Sequence, residues 1–254
     1  MRISISDWSH IDQVLPLAEK YQVGLEINEF ASPENLDRGS ELAESIGERV
    51  KGLPQVGVHG PFYELIPASC DPLIRQVVRQ RFQRAGELAQ LIGAQHLILH
   101  SGFIPKTYSA EQWLNNSIDF WVDFLANQPF EGMIHLENVY EDDFMNLKAL
   151  VAQVNQIINT RRLTVCLDLG HVHANSSHTL EEWMRGLGDH IRYVHVHNNG
   201  GVLDDHWQLD RGKINMRQTL NMLTEHCPHA IWTVETLVDQ IEPSLVWLQQ
   251  QGYL

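Results

Sequence analysis

Short segments in which apolar and polar residues alternate recur along this chain, and longer stretches with helical periodicity separate them. The segments are residues 2–6, 23–28, 56–59, 96–101, 133–138, 163–169, 193–197 and 231–236. A strand pattern followed by a helix pattern, repeated eight times, is the signature of βα units and a parallel sheet. Successive side chains of a strand face opposite sides, so each segment also reports which face is apolar. Ile134 and Leu136 alternate with His135 and Glu137, Val165 and Leu167 with Thr164, Cys166 and Asp168, and Trp232 and Val234 with Thr233 and Glu235.

An apolar face opposite a polar one suits a closed barrel, where the apolar face packs under an outer ring of helices and the polar face lines the interior. An open doubly wound sheet would carry nearly continuous apolar strands and a ligand site at one switch point. The expected fold is therefore α/β, a (β/α)8 TIM barrel in one domain over residues 1–254, close to the roughly 250 residues typical of that architecture. Helix-end signals agree. Asp71-Pro72 reads as an N-cap with proline at the first helical position, Ser109 to Gln112 and Thr179 to Glu182 have capping-box spacing, and Gly93 ends a helix. Arg75, Arg79, Arg81 and Arg84 on that helix are expected to form a solvated outer face.

Composition narrows the class of protein. There is no apolar run of about 18 residues that could cross a bilayer, and the N-terminus enters a strand without the features of a signal peptide, which predicts a cytoplasmic enzyme. Cys70, Cys166 and Cys227 are odd in number and far apart, so neither a disulfide framework nor a thiolate zinc site is expected. The formal net charge of −14 repels polyanions and disfavours duplex nucleic acid as a partner.

The chemistry lies at the strand ends. Six segments finish on a residue type that binds metal: His59, His100, Glu137, Asp168 with His171, His195, and Glu235, and the run between the last two adds Asp204 and His206. Imidazole and carboxylate are the ligands of Zn²⁺ and similar ions in catalytic sites. Several carboxylates crowding one barrel mouth would be costly without cations. In Asp204-Asp205-His206, residues 204 and 206 of an extended segment point to one side and Asp205 away, and Gly170 permits a sharp turn between Asp168 and His171. Glu26, Asn28, His135, His197 and Asn198 face inward by parity and are candidates for orienting ligands or touching substrate. Trp8 and Phe103 are candidates for the rim of the mouth, whereas His96, His173 and His178 are expected to be structural.

These residues resemble a known family. Val-His59-Gly-Pro-Phe62, Leu-His100-Ser-Gly102, Leu-Glu137-Asn138, Asp168-Leu-Gly-His171, His195-Val-His197-Asn and Asp204-Asp-His206 are similar, in order and over essentially the whole chain, to the endonuclease IV and xylose isomerase-like barrel superfamily. The resemblance implies up to three Zn²⁺ ions, with Mn²⁺ or Fe²⁺ as alternatives. His59, His100 and Glu137 would hold one, Glu137, Asp168, His195 and Glu235 a second, and His171, Asp204 and His206 a third. The choice of His195 over His197 rests on the resemblance, since both face inward.

Sugar isomerases and epimerases of the superfamily resemble one another in a single-ion site, here Glu137, Asp168, His195 and Glu235. The full set of nine points instead to phosphodiester hydrolysis by a metal-activated hydroxide at a polynuclear site. Under the isomerase alternative, Glu137 and Glu235 act as an acid–base pair, and a third reading is an inactive metal- or sugar-binding barrel. Relative to DNA-handling members, the chain has Trp207 to Lys213 where Gly-x-Gly is common, and an acidic Glu141-Asp142-Asp143 loop near the wedge candidates Phe62 and Tyr63. A small phosphate- or sugar-containing substrate, such as a cobamide-like diester or a phosphosugar, is thus expected before abasic DNA, with Trp8, Phe62, His197 and Asn198 as candidate contacts.

Overall fold

The computed structural model describes residues 2–254. Its strands are β1 (Arg2–Ser6), β2 (Gly24–Ile27), β3 (Val56–His59), β4 (His96–His100), β5 (Met133–Glu137), β6 (Leu163–Asp168), β7 (Ile191–Val196) and β8 (Ile231–Val234). They pair in parallel in sequence order, and β8 returns to β1, closing a (β/α)8 TIM barrel. Strand ends differ from the sequence boundaries by one or two residues. The last residue of several expected strands instead begins a loop or helix.

Helices α1 (Ile11–Tyr21), α2 (Pro33–Arg38), α3 (Ser40–Arg49), α4 (Pro72–Ile92), α5 (Ala110–Asn127), α6 (Met145–Ile157), α7 (Leu169–Asn175), α8 (Leu180–Leu187), α9 (Met216–His226) and α10 (Val238–Gln251) surround the barrel. The predicted caps form. Asp71 accepts from Leu73 N at 2.8 Å, Ser109 Oγ from Gln112 N at 3.1 Å, Thr179 and Glu182 make a reciprocal capping box, and Gly93 at φ +79° ends α4. Three of the four arginines of α4 tether neighbours: Arg79 pairs with Asp123, Arg81 with Asp37, and Arg84 with Ser40 and Glu87.

The alternation divides the interior as expected. Outward-facing Leu97, Leu99, Ile134, Leu136, Val165, Leu167, Val194, Trp232 and Val234 join the main core beneath the helices. Inside the barrel a small separate cluster of Ile98, Cys166, Tyr193 and Ile231 plugs the centre. Gly57 on β3 makes room for that plug, because a Cβ there would lie 2.9 Å from the Tyr193 hydroxyl. Around it the lining is polar, with Ser4, Ser6, Glu26, His135, Thr164 and Thr233 all buried, where such barrels are usually filled by branched apolar side chains. His96 Nδ1 lies 3.0 Å from His135 Nε2, and His135 Nδ1 lies 2.7 Å from Thr164 Oγ1, so these imidazoles satisfy one another within the interior. Among the described residues no helix is long and apolar enough to cross a membrane.

Candidate metal centre

His59, His100, Glu137, Asp168 and His195 stand at or next to the ends of their strands, Glu235 follows β8 directly, and His171 on α7 with Asp204 and His206 in the loop after β7 complete the set. His59, His100 and Glu137 close β3, β4 and β5, and their donor atoms lie within 4.8 Å of one another. Glu137 Oε2 is 3.2 Å from His59 Nε2 and 3.6 Å from His100 Nε2. Ligand atoms about 2.1 Å from a tetrahedral ion lie about 3.4 Å apart, so these separations are those of donors around a common cation.

The other oxygen of Glu137 faces a second group. His195 Nδ1 is buried with no hydrogen-bond partner among the described residues, and it points at Glu235 Oε2 (3.2 Å), Glu137 Oε1 (3.4 Å) and Asp168 Oδ2 (3.6 Å). An orphaned ring nitrogen facing three carboxylate oxygens is the environment a divalent ion would satisfy, so the residues fit the ion they are expected to hold. His195 Nε2 is fixed by Glu26 Oε2 at 3.0 Å.

A third group centres on Asp204 Oδ2, which is 3.1 Å from His171 Nε2 and 2.8 Å from His206 Nε2. His197, His206 and Glu235 also offer donor atoms within 4.8 Å of one another, a grouping the sequence did not suggest.

The far nitrogens of these rings are anchored. His59 Nδ1 lies 2.9 Å from Gly60 O, His171 Nδ1 2.8 Å from Asn138 O, and His206 Nδ1 2.8 Å from Glu235 O. A ring that donates from Nδ1 to a carbonyl presents its Nε2 lone pair to the mouth, the usual arrangement behind a liganding histidine.

The electrostatics are those of carboxylates and imidazoles crowded together out of water. Burial opposes ionisation of Glu137, yet the charge of His195 and hydrogen bonds from His171 and His195 hold its carboxyl well below the ordinary range. Asp168 is likewise held down, against burial, by His171 and His197. Burial pushes His100 down to about 3, leaving a neutral imidazole. His206 is raised, against burial, to about 9 by its hydrogen bond to Asp204 and the charge of Glu235. His171 and His195 are also raised, against burial, by the surrounding acids. Without metal, protons on these histidines offset the buried carboxylates. Cys166 lies near Glu137 and His195, but burial pushes its thiol far up, so it remains a protonated filler of the interior.

Residues 10–254 match the family described as "Xylose isomerase-like TIM barrel". The chain belongs to that family. It is 25% identical over 215 residues to "Uncharacterized protein MJ1311" of Methanocaldococcus jannaschii, covering 82% of this chain and 71% of that protein. It is 25% identical over 209 residues to "Probable endonuclease 4" of Staphylococcus aureus, covering 76% of this chain and 67% of the relative. Two solved structures share the fold. The "TTHB071 protein" of Thermus thermophilus, soaked with ZnCl2, superposes with a TM-score of 0.78 at 23% identity, over 99% of this chain and 98% of that one. A "D-tagatose 3-epimerase-like protein" gives a TM-score of 0.75 at 22% identity, over 99% and 97%.

Several residues depart in detail from their expected roles. Gly170 is not a turn: it lies within α7, and a Cβ on it would fall 2.0 Å from the His197 ring, so it permits close packing instead. Asp168 N-caps that helix, accepting from His171 N at 2.6 Å, which couples two donors through one hydrogen bond. Asp204 and His206 do share a side, but His206 adopts φ +51° rather than an extended conformation. Asp205 turns away and accepts from Gly200 N.

Trp8 and Phe62 line the cavity over the donors, whereas His197 and Asn198 do not. The Asn198 side chain is used by the loop after β7: its Nδ2 donates to Leu209 O and Ile214 O, and its Oδ1 accepts from Asn199 N and Ile214 N. His197 Nε2 lies 3.1 Å from Asp168 Oδ2 and 3.5 Å from Asp204 Oδ1, and its ring stacks on His206 at 4.0 Å. It braces acids rather than facing the cavity. Glu141 is buried, accepting from Ser101 Oγ and Val139 N, so the acidic loop presents less charge than its sequence suggests.

Sequence reasoning missed Asn138 as a support. Its Oδ1 accepts from Asp168 N at 2.9 Å while its carbonyl anchors His171. Its place directly after Glu137 was the available signal.

Proposed function

We propose that this chain is a divalent-metal-dependent phosphodiesterase acting on a small, non-duplex substrate. The observation that carries the reading is Glu137, whose Oε2 faces His59 and His100 while its Oε1 faces the unpartnered Nδ1 of His195. Such a carboxylate joins two donor groups, and with Asp204 and His206 as a third the set exceeds what one ion needs.

We assign His59, His100 and Glu137 to one ion, Glu137, Asp168, His195 and Glu235 to a second, and His171, Asp204 and His206 to a third. Divalent ions there, Zn²⁺ with Mn²⁺ or Fe²⁺ as alternatives, supply Lewis acidity toward the phosphoryl oxygens and the attacking water. The chain's own part is to hold ionised carboxylates at fixed separations. It also directs the lone pairs of His59, His171, His195 and His206 by anchoring their far nitrogens. No side-chain nucleophile is required.

A second reading, a sugar isomerase or epimerase, is favoured by a different observation. Glu235 and Glu137 both approach His195 Nδ1, at 3.2 and 3.4 Å, as an acid–base pair about one ion would. One glutamate would remove a proton from the carbon beside a carbonyl and the other would return one.

The test is to incubate zinc- or manganese-loaded protein with bis(p-nitrophenyl) phosphate and, separately, with ketoses. Diester hydrolysis that falls at least about 100-fold in both His59→Ala and His206→Ala agrees with the proposal. Ketose epimerisation without diester hydrolysis would select the second reading.

A further inference from the structure

Above the donors opens a cavity of about 540 Å³, bordered beyond the ends of β1 and β2 by Trp8 and Asn28. Asn28 is half-buried and firmly held. Its backbone N donates to Asp7 Oδ1 at 2.9 Å, its carbonyl accepts from Ala31 N at 3.0 Å, and its Oδ1 accepts from Ser6 Oγ at 2.8 Å. Its Nδ2 has no acceptor among the described residues. Ser6 decides which way the amide faces. That serine is fully buried and its hydroxyl has no other acceptor among the described residues, so turning the amide over would strand a buried hydroxyl hydrogen. Oδ1 therefore stays with Ser6, and Nδ2 is sent the opposite way, to the open side of the residue. The backbone of Asn28, at φ −108° and ψ 0°, lies in the sparsely allowed region where many active-site residues sit.

The charge of the lining says what this amide would meet. Among the described residues neither lysine nor arginine borders the cavity, and beyond the metal donors its polar side chains are Trp8, Asn28, Tyr63, Glu64 and Tyr140. A second anionic group on a substrate would face Glu64 without a countercharge, and like charges brought together are costly. An uncharged oxygen asks only for a neutral donor. Trp8 Nε1 is buried within the wall, which leaves the Asn28 amide as the open nitrogen donor on this side of the cavity. A donor fixed in place in this manner discriminates, because a substrate lacking the matching oxygen leaves the N–H unpaired.

We propose that Asn28 is a specificity-determining residue, whose clamped amide donates an Nδ2 hydrogen to an uncharged hydroxyl or ether oxygen on the part of the substrate beyond its phosphoryl group. The inference rests on the phosphodiesterase reading for that phosphoryl group, whereas the free donor follows from the clamp made by Ser6 and Asp7. A neutral hydrogen bond of this kind corresponds to roughly threefold to tenfold in affinity.

The experiment is calorimetric titration of zinc-loaded protein with methoxyethyl methylphosphonate and with butyl methylphosphonate, two monoanions that differ by one ether oxygen in place of a methylene. The wild type is compared with Asn28→Asp, which keeps the acceptor for Ser6 and removes the N–H, and with Asn28→Leu, which removes both at similar volume. The ratio of the two dissociation constants cancels any change in binding of the phosphonate itself, including the charge that Asn28→Asp adds. The expected result is that the preference for the ether relative to the butyl compound falls by about threefold to tenfold in both variants. Loss of a merely structural role would weaken both compounds alike and leave the ratio in place; circular dichroism and zinc content are checked alongside. A ratio within about twofold of the wild type in either variant overturns the proposal. Titration needs no turnover, so the two readings fail separately. A shifted ratio without any diester hydrolysis sinks the phosphodiesterase reading and upholds the role of Asn28, whereas hydrolysis with an unmoved ratio sinks that role alone. Binding of neither phosphonate overturns both.

Discussion

His195 Nε2 lies 3.0 Å from Glu26 Oε2, and neither side chain is exposed. The pair fixes the ring so that Nδ1 faces Glu137, Asp168 and Glu235, and a carboxylate behind the imidazole raises its basicity toward a metal. Replacing Glu26 by Gln keeps the volume and removes the charge. Glu26→Gln is expected to weaken one ion by about 10–100-fold while the remaining ions stay bound, as read by competition with a chromogenic chelator. Unaltered affinity at every site would show that Glu26 merely fills the barrel.

The two histidines of β7 and the loop after it separate by the same geometry. Both keep a buried nitrogen without a partner among the described residues, but that of His195 faces three carboxylate oxygens within 3.6 Å, whereas His197 stacks on His206 and turns Nε2 to Asp168 and Asp204. His195→Ala should therefore lose an ion outright, and His197→Ala should retain the full complement with reduced thermal stability. Equal metal loss in both variants would contradict this division of roles.

Asp7, at the end of β1, provides a test independent of metal. Its Oδ1 accepts from Ser9 N and Asn28 N, while its Oδ2 and Glu29 Oε2 are both buried without a donor among the described residues. Burial, with the nearby charge of Glu29 and a hydrogen bond to it, raises the Asp7 carboxyl well above its ordinary value. As pH climbs, the unfolded chain releases this proton first. Stability therefore falls from the ordinary carboxylate range up to the folded pKa and stays lower above it. Asp7→Asn supplies a permanent donor toward Glu29 and retains the Oδ1 acceptor. Its thermal midpoint at pH 7 should rise by about 2–4 °C, the effect of about 1 kcal/mol in a chain of this size, with no gain at pH 3. A lower midpoint at pH 7 would refute the shared-proton account.

The fold was legible because strand alternation and helix caps are local signals. Ile134 to Glu137 shows its two faces without reference to any other element, and Thr179 with Glu182 announces a helix start. Most of the donors were legible for the same reason, since His59, His100, Glu137, Asp168, His195 and Glu235 stand at or beside strand ends, whereas His171 lies on α7 and Asp204 and His206 in the loop after β7. What escaped was set by long-range packing. The close approach of Gly170 to His197 depends on where β7 runs, and Asn138 acts through Asp168, 30 residues away. Helices α2 and α3 lie in one connection, between β2 and β3, which simple βα counting does not resolve. Leu65, Ile66 and Ile104 occupy loops without periodicity, so nothing in the sequence marked them as lining the cavity over the donors.

The central claim is that nine side chains form three donor groups, two of them joined through Glu137. Elemental analysis of freshly purified protein, with His59→Ala and His206→Ala beside it, tests this most directly. The account predicts two or three divalent ions per chain, with each substitution removing about one, because His59 and His206 belong to different groups. A single ion per chain, unaffected by either substitution, would contradict it and leave a mononuclear barrel.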